Sequence, residues 1–233
     1  MLDKNVLNKF NQYVKSFDMK NKDIMGKFHH TYRVVEYAKK IGESLNLNSD
    51  QMHTLLLCAL LHDIGRFDQV THYKTFKDSK SIDHGKLGYD ILKDGLINNF
   101  TVNVEKQKII LFSVLNHNKL NIPPSDEINI FFTKILKDAD KMDILKEQAL
   151  KVTDKKPILN YEILNFLSNE KPVKNDLVNN DIDKILRCLG FIFDINYKCT
   201  YKFILDEKII ENKLNLIEIY TEEDMTDLKE YLL

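Results

Sequence analysis

Residues that break helices are scarce in this chain: seven glycines and four prolines are spread over 233 residues. So few breakers exclude a many-turned β architecture and favour long helices. Cys58, Cys188 and Cys199 are odd in number and show no CxxC spacing, which argues against a disulfide framework or a zinc knuckle. Charge of one sign is also missing, since 34 basic and 35 acidic residues nearly cancel to a formal net charge of −1. That balance argues against a nucleic-acid or acidic-membrane binder working through bulk positive charge. No apolar run is long enough to span a bilayer. The first residues, "MLDKNVLNKFNQYVKSF", are interrupted by charge, and Val6, Phe10, Tyr13, Val14 and Phe17 follow helical spacing. They predict an amphipathic helix rather than a signal peptide. A reducing cytoplasmic setting is the expectation.

Much of the remaining sequence carries apolar residues at i, i+3 and i+4, so the fold is expected to be all-α. Periodicity and caps predict helices over about 2–18, 28–45, 50–62, 81–95, 103–116 and 126–151. Ser81 is the expected N-cap of the fourth, Gly95 its C′ residue, and Pro123-Pro124 close the fifth. The stretch "GRFDQVTHYKTFKDSKS" reads as a long polar loop. Further on, "ILNYEILNFLSN" and "NDIDKILRCLGFIFDI" read as helices, "KPVKNDLVNN" as a loop, and "TEEDMTDLKEYLL" as a final helix capped by Thr221 with Asp224 three residues on. The character of the chain changes near residue 150, from helices that carry motifs to helices that do not. The expected division is therefore 1–150 for a functional core and 151–233 for a helical extension packed on the same domain.

Chemistry enters at "LLLCALLHDIGRF", where seven consecutive apolar residues end in His62-Asp63. Burying an unpaired carboxylate costs several kcal/mol, so such a position needs a compensating charge. A divalent metal held by imidazole and carboxylate would supply it, as would a turn cap or a pairing of Asp63 with Arg66. His30 opens "HTYRVVEYAKKIG" one turn before Val34, on the inward face. In "KDADKMDIL", Leu136, Asp140 and Ile144 form one stripe, and Asp138 and Asp143 compete with Asp140 for the inward position. His29, His53 and His72 carry no comparable company.

Together "HTYRVVEYA", "ALLHDIGRF" and "KDADKMDIL", in that order over about residues 25–150, resemble the signatures of the HD-domain superfamily of metal-dependent phosphohydrolases. The resemblance implies an HD-domain-like helical bundle with additional C-terminal helices. It selects Asp140 among the three aspartates and implies one metal held by His30, His62, Asp63 and Asp140. "DHGKLGYDIL" and "SVLNHNKLNIP" place His84 and His117 in the order of the branch with extra histidines, which implies a second ion held by these two with Asp63 as bridge. A Gly at 88, one turn after His84, permits close helix packing.

Two departures narrow the expected activity. Guanosine-tetraphosphate hydrolases and several deoxynucleotidases of the superfamily carry an acidic residue where this chain has Arg66. The "GYP" segment of cyclic-dinucleotide phosphodiesterases is absent after His117. Arg66 is one of only three arginines against 31 lysines, and its planar fork suits bidentate phosphate contact. Asp63 and Arg66 are thus the expected catalytic residues, with Arg66, and more weakly Lys119, Lys141 and Arg33, contacting substrate. The expected function is hydrolysis of a phosphoester or phosphoanhydride in a phosphorylated small molecule such as a nucleotide, assisted by one or two divalent ions (Mn, Fe, Co, Ni or Mg). The sequence leaves open a metal- or nucleotide-sensing HD protein without turnover, and a di-iron HD oxygenase. The substrate and the oligomeric state are not legible in it.

Overall fold

The computed structural model describes residues 2–147, 152–154, 157–171, 173 and 175–233. Among them the chain is helical, with no strand. It forms two compact units, Met1–Asp140 and Lys141–Leu233. The boundary falls inside a helix, earlier than the change of character read near residue 150.

The first unit opens with α1 (Lys4–Lys15), α2 (Lys22–Ser44), α3 (Ser49–Leu61) and α4 (Ile64–Tyr73). It continues with α5 (His84–Lys93), α6 (Val104–Asn116) and the larger part of α7 (Glu127–Glu147). Short polar side chains start most of these helices by accepting from the free N–H groups of the first turn. Asp3 accepts from the Val6 amide, Asn21 from Asp23 and Asn103 from Lys106. Asn48 and Gln51 form a reciprocal capping box at α3.

Every residue of α3 from Thr54 to Leu61 is buried. Burying a leucine contributes about 1.5–3 kcal/mol, so this helix is the central post of the unit. Around it α2 packs on α3 and α4, α6 on α3 and α5, and α4 on α5. An aromatic cluster seats α1: Phe10 lies against Phe28, Tyr32 and Phe67, and Phe17 against Phe67. Tyr13 adds a hydrogen bond from its phenol to Asp68 Oδ2 at 2.9 Å. The start of α7 is tied to α6 by the Ser113–Thr133 hydroxyl pair at 3.1 Å.

Several boundaries differ from the sequence expectation. The expected polar loop after Gly65 is mostly α4, held inward by Ile64, Phe67 and Val70 at helical spacing and closed by Lys74 in the left-handed region (φ 55°). Arg66 and Gln69 bind Asp78 and Asp68 accepts from Tyr13, partners outside the helix, which is why composition misleads there. Asp83, not Ser81, caps α5, with Oδ1 accepting from the Gly85 and Lys86 amides at 3.0 and 3.3 Å. Gly95 does follow that helix with φ 114°, as a C′ glycine should. The expected end of the long helix near 151 lies outside the described residues.

The second unit comprises the end of α7, α8 (Tyr161–Ser168), α9 (Asp181–Leu189), α10 (Lys198–Asp206), α11 (Ile209–Thr221) and α12 (Thr226–Leu232). Its core gathers Ile163, Leu167, Ile185, Leu186, Leu189, Ile210, Leu214 and Ile217. Thr221 closes α11 instead of capping α12, and Asp224 accepts from the Thr226 amide and hydroxyl.

Candidate metal centre

His62 and Asp63 occupy the break between α3 and α4, His62 as the last cap of one helix and Asp63 as the first of the next. The buried post α3 therefore ends in a carboxylate that is itself only 3% exposed. Three other helices bring partners to it. His30 comes from the middle of α2, His84 opens α5 and His117 follows the last turn of α6.

Glycines make this convergence possible. A Cβ at Gly65 would stand 2.6 Å from both the Gly88 nitrogen and the His84 carbonyl, so α4 and α5 touch backbone to backbone. A Cβ at Gly88 would meet Val114 and Ile64 at 3.1 and 3.2 Å, and one at Gly85 would meet Asn118 Oδ1 at 2.8 Å.

The two oxygens of Asp63 face two separate groups. Oδ2 lies 3.4 Å from His30 Nε2 and 3.5 Å from His62 Nε2. On the same side Asp140 Oδ1, from α7, is 3.1 Å from His30 Nε2 and 3.8 Å from His62 Nε2. Oδ1 lies 3.5 Å from His84 Nε2 and 3.6 Å from His117 Nε2. Within each group the ring nitrogens are also close, His30 to His62 at 3.3 Å and His84 to His117 at 3.1 Å.

The outer ring nitrogens define the tautomers. His62 Nδ1 donates to the Ala59 carbonyl at 2.8 Å and His117 Nδ1 to the Val114 carbonyl at 2.7 Å. His84 Nδ1 donates to Asp78 Oδ2 at 2.6 Å. Carbonyls and carboxylates only accept, so each Nδ1 carries a proton, and the neutral form of each ring turns a lone pair inward at Nε2. Burial pushes the His84 imidazole down to about 4, against the pull of Asp78. Its ring is thus neutral at ordinary pH. With both rings in the neutral form two lone pairs face each other at 3.1 Å beside a carboxylate oxygen, an arrangement that repels unless a cation lies among them. The donor set fits divalent ions: imidazole and carboxylate without thiolate, with His62, His84 and His117 oriented from behind. His30, His62 and Asp140 form one group able to hold an ion, and His62, Asp63 and His117 another.

Charge around Asp63 is already compensated in part. Burial pushes its carboxyl up, but the Lys27 ammonium, together with the adjacent imidazoles where these carry an inward proton, outweighs that and holds it well below the usual carboxylate range. Asp140, raised by burial, is likewise brought down by His30 and His62.

The expected substrate cations are placed differently from one another. Arg66 Nη1 donates to Gln69 Oε1 and the Phe76 carbonyl, both at 2.7 Å, and to Asp78 Oδ1 at 3.0 Å. Its Nε, buried and without a hydrogen bond, is 3.5 Å from Asp63 Oδ1. Gln69 also binds Asp78, Ser81 and the Ile82 carbonyl. Arg66 is therefore built into a network that ends on His84. Lys119 binds Asp83 at the start of α5, and Lys141 binds the carbonyl and carboxylate of Asp194 in the second unit. Arg33 lines a shallow groove of α2 with Tyr32 and Glu36.

Sequence reasoning missed Lys27, Gln69 and Asp78. Lys27 carries a usable signal, since it lies one turn before His30, but the expected helix start at 28 leaves it out. Asp78 sits in an irregular segment where periodicity says nothing.

A comparison with protein families matches the HD domain over residues 28–145. That span is half of the chain, and all six ligand candidates fall inside it. The chain belongs to the HD-domain family, whose members are mostly metal-dependent hydrolases. Comparison with curated proteins and with solved structures returned no match. Among the described residues no helix is long and apolar enough to cross a membrane.

Proposed function

We propose that this chain is a dinuclear metal-dependent phosphohydrolase that cleaves a phosphoester or phosphoanhydride of a small nucleotide-like molecule. The observation that carries the reading is the division of Asp63, one oxygen toward His30 and His62 and the other toward His84 and His117. His30, His62 and Asp140 would hold the first ion, His84 and His117 the second, and Asp63 both. Bound divalent ions supply Lewis-acid activation of water and of the phosphoryl group.

The chain's own residues do the rest. The apolar wall of α3 keeps the ligands in a low-dielectric setting where their charges act strongly. The Nδ1 hydrogen bonds hold His62, His84 and His117 each in one orientation. Arg66 acts through Asp78 on His84, with its Nη1 donors spent there rather than on substrate. Approach to the centre is from the side of Lys27 and Asp140, whose side chains are 21% and 19% exposed against 3% for Asp63.

The test combines elemental analysis of the purified protein with turnover of a panel of phosphoesters, with and without Mn2+. Two metal equivalents and Mn2+-dependent release of phosphate or nucleotide are expected, with Asp63→Ala abolishing both. Full turnover by D63A would refute the proposal, and a single equivalent would remove His84 and His117 from the ligand set. Iron-dependent oxygen consumption without phosphate release would point to an oxygenase instead.

A further inference from the structure

Two cations flank Asp63, and they are held in different ways. Arg66 is fixed by three Nη1 hydrogen bonds to Gln69, Phe76 and Asp78. Among the described residues the Lys27 ammonium has one hydrogen-bond partner, Oδ2 of Asp63, at 2.7 Å. That oxygen is the one facing His30 and His62. The ammonium of Lys27 and a divalent cation held by the His30 group therefore compete for the same atom. Two cations within bonding distance of one oxygen repel strongly in a buried setting, and the monovalent one on a flexible stem gives way.

The displaced ammonium does not have far to go. Lys27 stands on the exposed side of the centre, and its ammonium lies over the Phe76 ring at 5.6 Å from the centroid. An ammonium on four flexible carbons serves an anion as a point charge with three rotatable donors. Lys119 and Lys141 are each bound to an aspartate elsewhere. We infer that Lys27 is a phosphate-binding residue of the centre, stored on Asp63 in the metal-free protein and released to substrate phosphoryl oxygens when metal takes Oδ2. This rests on the dinuclear reading above and adds to it the residue that recognises the anion.

The experiment is calorimetric and needs no turnover. Mn2+ is titrated into metal-free wild type, Lys27→Met and Lys27→Arg, and inorganic phosphate is then titrated into each Mn2+-loaded protein. K27M is expected to bind Mn2+ at least as tightly as wild type, because a competitor is gone. Its phosphate affinity is expected to fall by roughly ten- to a hundredfold, the range for losing a hydrogen bond to a charged group. K27R, which keeps the cation, is expected to stay within about threefold of wild type for phosphate, well inside that loss. If wild type takes up Mn2+ and K27M binds phosphate as wild type does, this inference is overturned and the metal reading stands. A K27M protein that folds but loses Mn2+ affinity makes Lys27 a structural partner of Asp63 and also overturns it. Wild type that takes up no Mn2+ overturns the metal reading and the inference with it.

Discussion

Gly65→Ala is the sharpest perturbation of the helix contact on which the second half of the centre depends. The added Cβ would stand 2.6 Å from the Gly88 nitrogen and the His84 carbonyl oxygen, and 3.1 Å from the Gly88 Cα. All three are backbone atoms, so no rotamer change relieves the clash. Ordinary van der Waals contact begins near 3.4 Å, so α4 and α5 must separate by roughly 0.8 Å, an overpacking shift of the kind that costs about 1–3 kcal/mol. Better helix propensity returns at most about 1 kcal/mol. The unfolding midpoint of the first unit should fall by a few degrees, at about 2–4 °C per kcal/mol. The metal effect should be larger, because ligand distances tolerate only about ±0.2 Å. G65A should therefore keep the ion of the His30 group and lose that of the His84 group. Calorimetric unfolding and metal analysis read the two effects separately. Gly26→Ala is the matched control: α2 leaves nothing within 4 Å of a Cβ there, so stability should rise by about 1 kcal/mol. G65A with a wild-type midpoint and full metal content would refute the packing argument.

Two further outcomes are expected. Asp78→Ala removes the acceptor behind His84 Nδ1 and should weaken the second ion by about 10–100-fold while sparing the first, as metal titration will read. Tyr13 titrates above its ordinary range, chiefly from burial and then from Asp68. The native state thus holds this proton more tightly than the unfolded state, so stability is unaffected below pH 10 and falls as pH rises beyond it. Alkaline unfolding followed by tyrosinate absorbance should begin at higher pH in Tyr13→Phe, and an unchanged midpoint would sink this account.

What the sequence reveals here depends on how far each residue's role is local. The α3 run and the α7 stripe are legible because burial is written into their composition and period. The six ligand candidates are legible because each lies in a motif, and the structure gathers the other five around the carboxylate of Asp63. α4 is not legible: only Ile64, Phe67 and Val70 mark its inward side, and its polar residues satisfy partners distant in the chain. For the same reason the sequence does not show that Gln69, Phe76 and Asp78 engage the Nη1 donors of Arg66, since they meet it only after folding. α10 and α11 blur because apolar residues lie on both faces, with Ile217 buried but Ile219 and Tyr220 exposed.

The aromatic seat of α1 bears on how this protein can be dissected. Phe67 sits four residues after Asp63, on the helix that carries Arg66, and α1 covers it with Phe10, Tyr13 and Phe17. A fragment trimmed to the family match at 28–145 would strip that cover and begin inside α2, just beyond Lys27. It would keep every ligand candidate, yet lose both the aromatic cover of Phe67 and the Lys27 ammonium paired with Asp63. A fragment that keeps both the cover of Phe67 and Lys27 has to begin at α1.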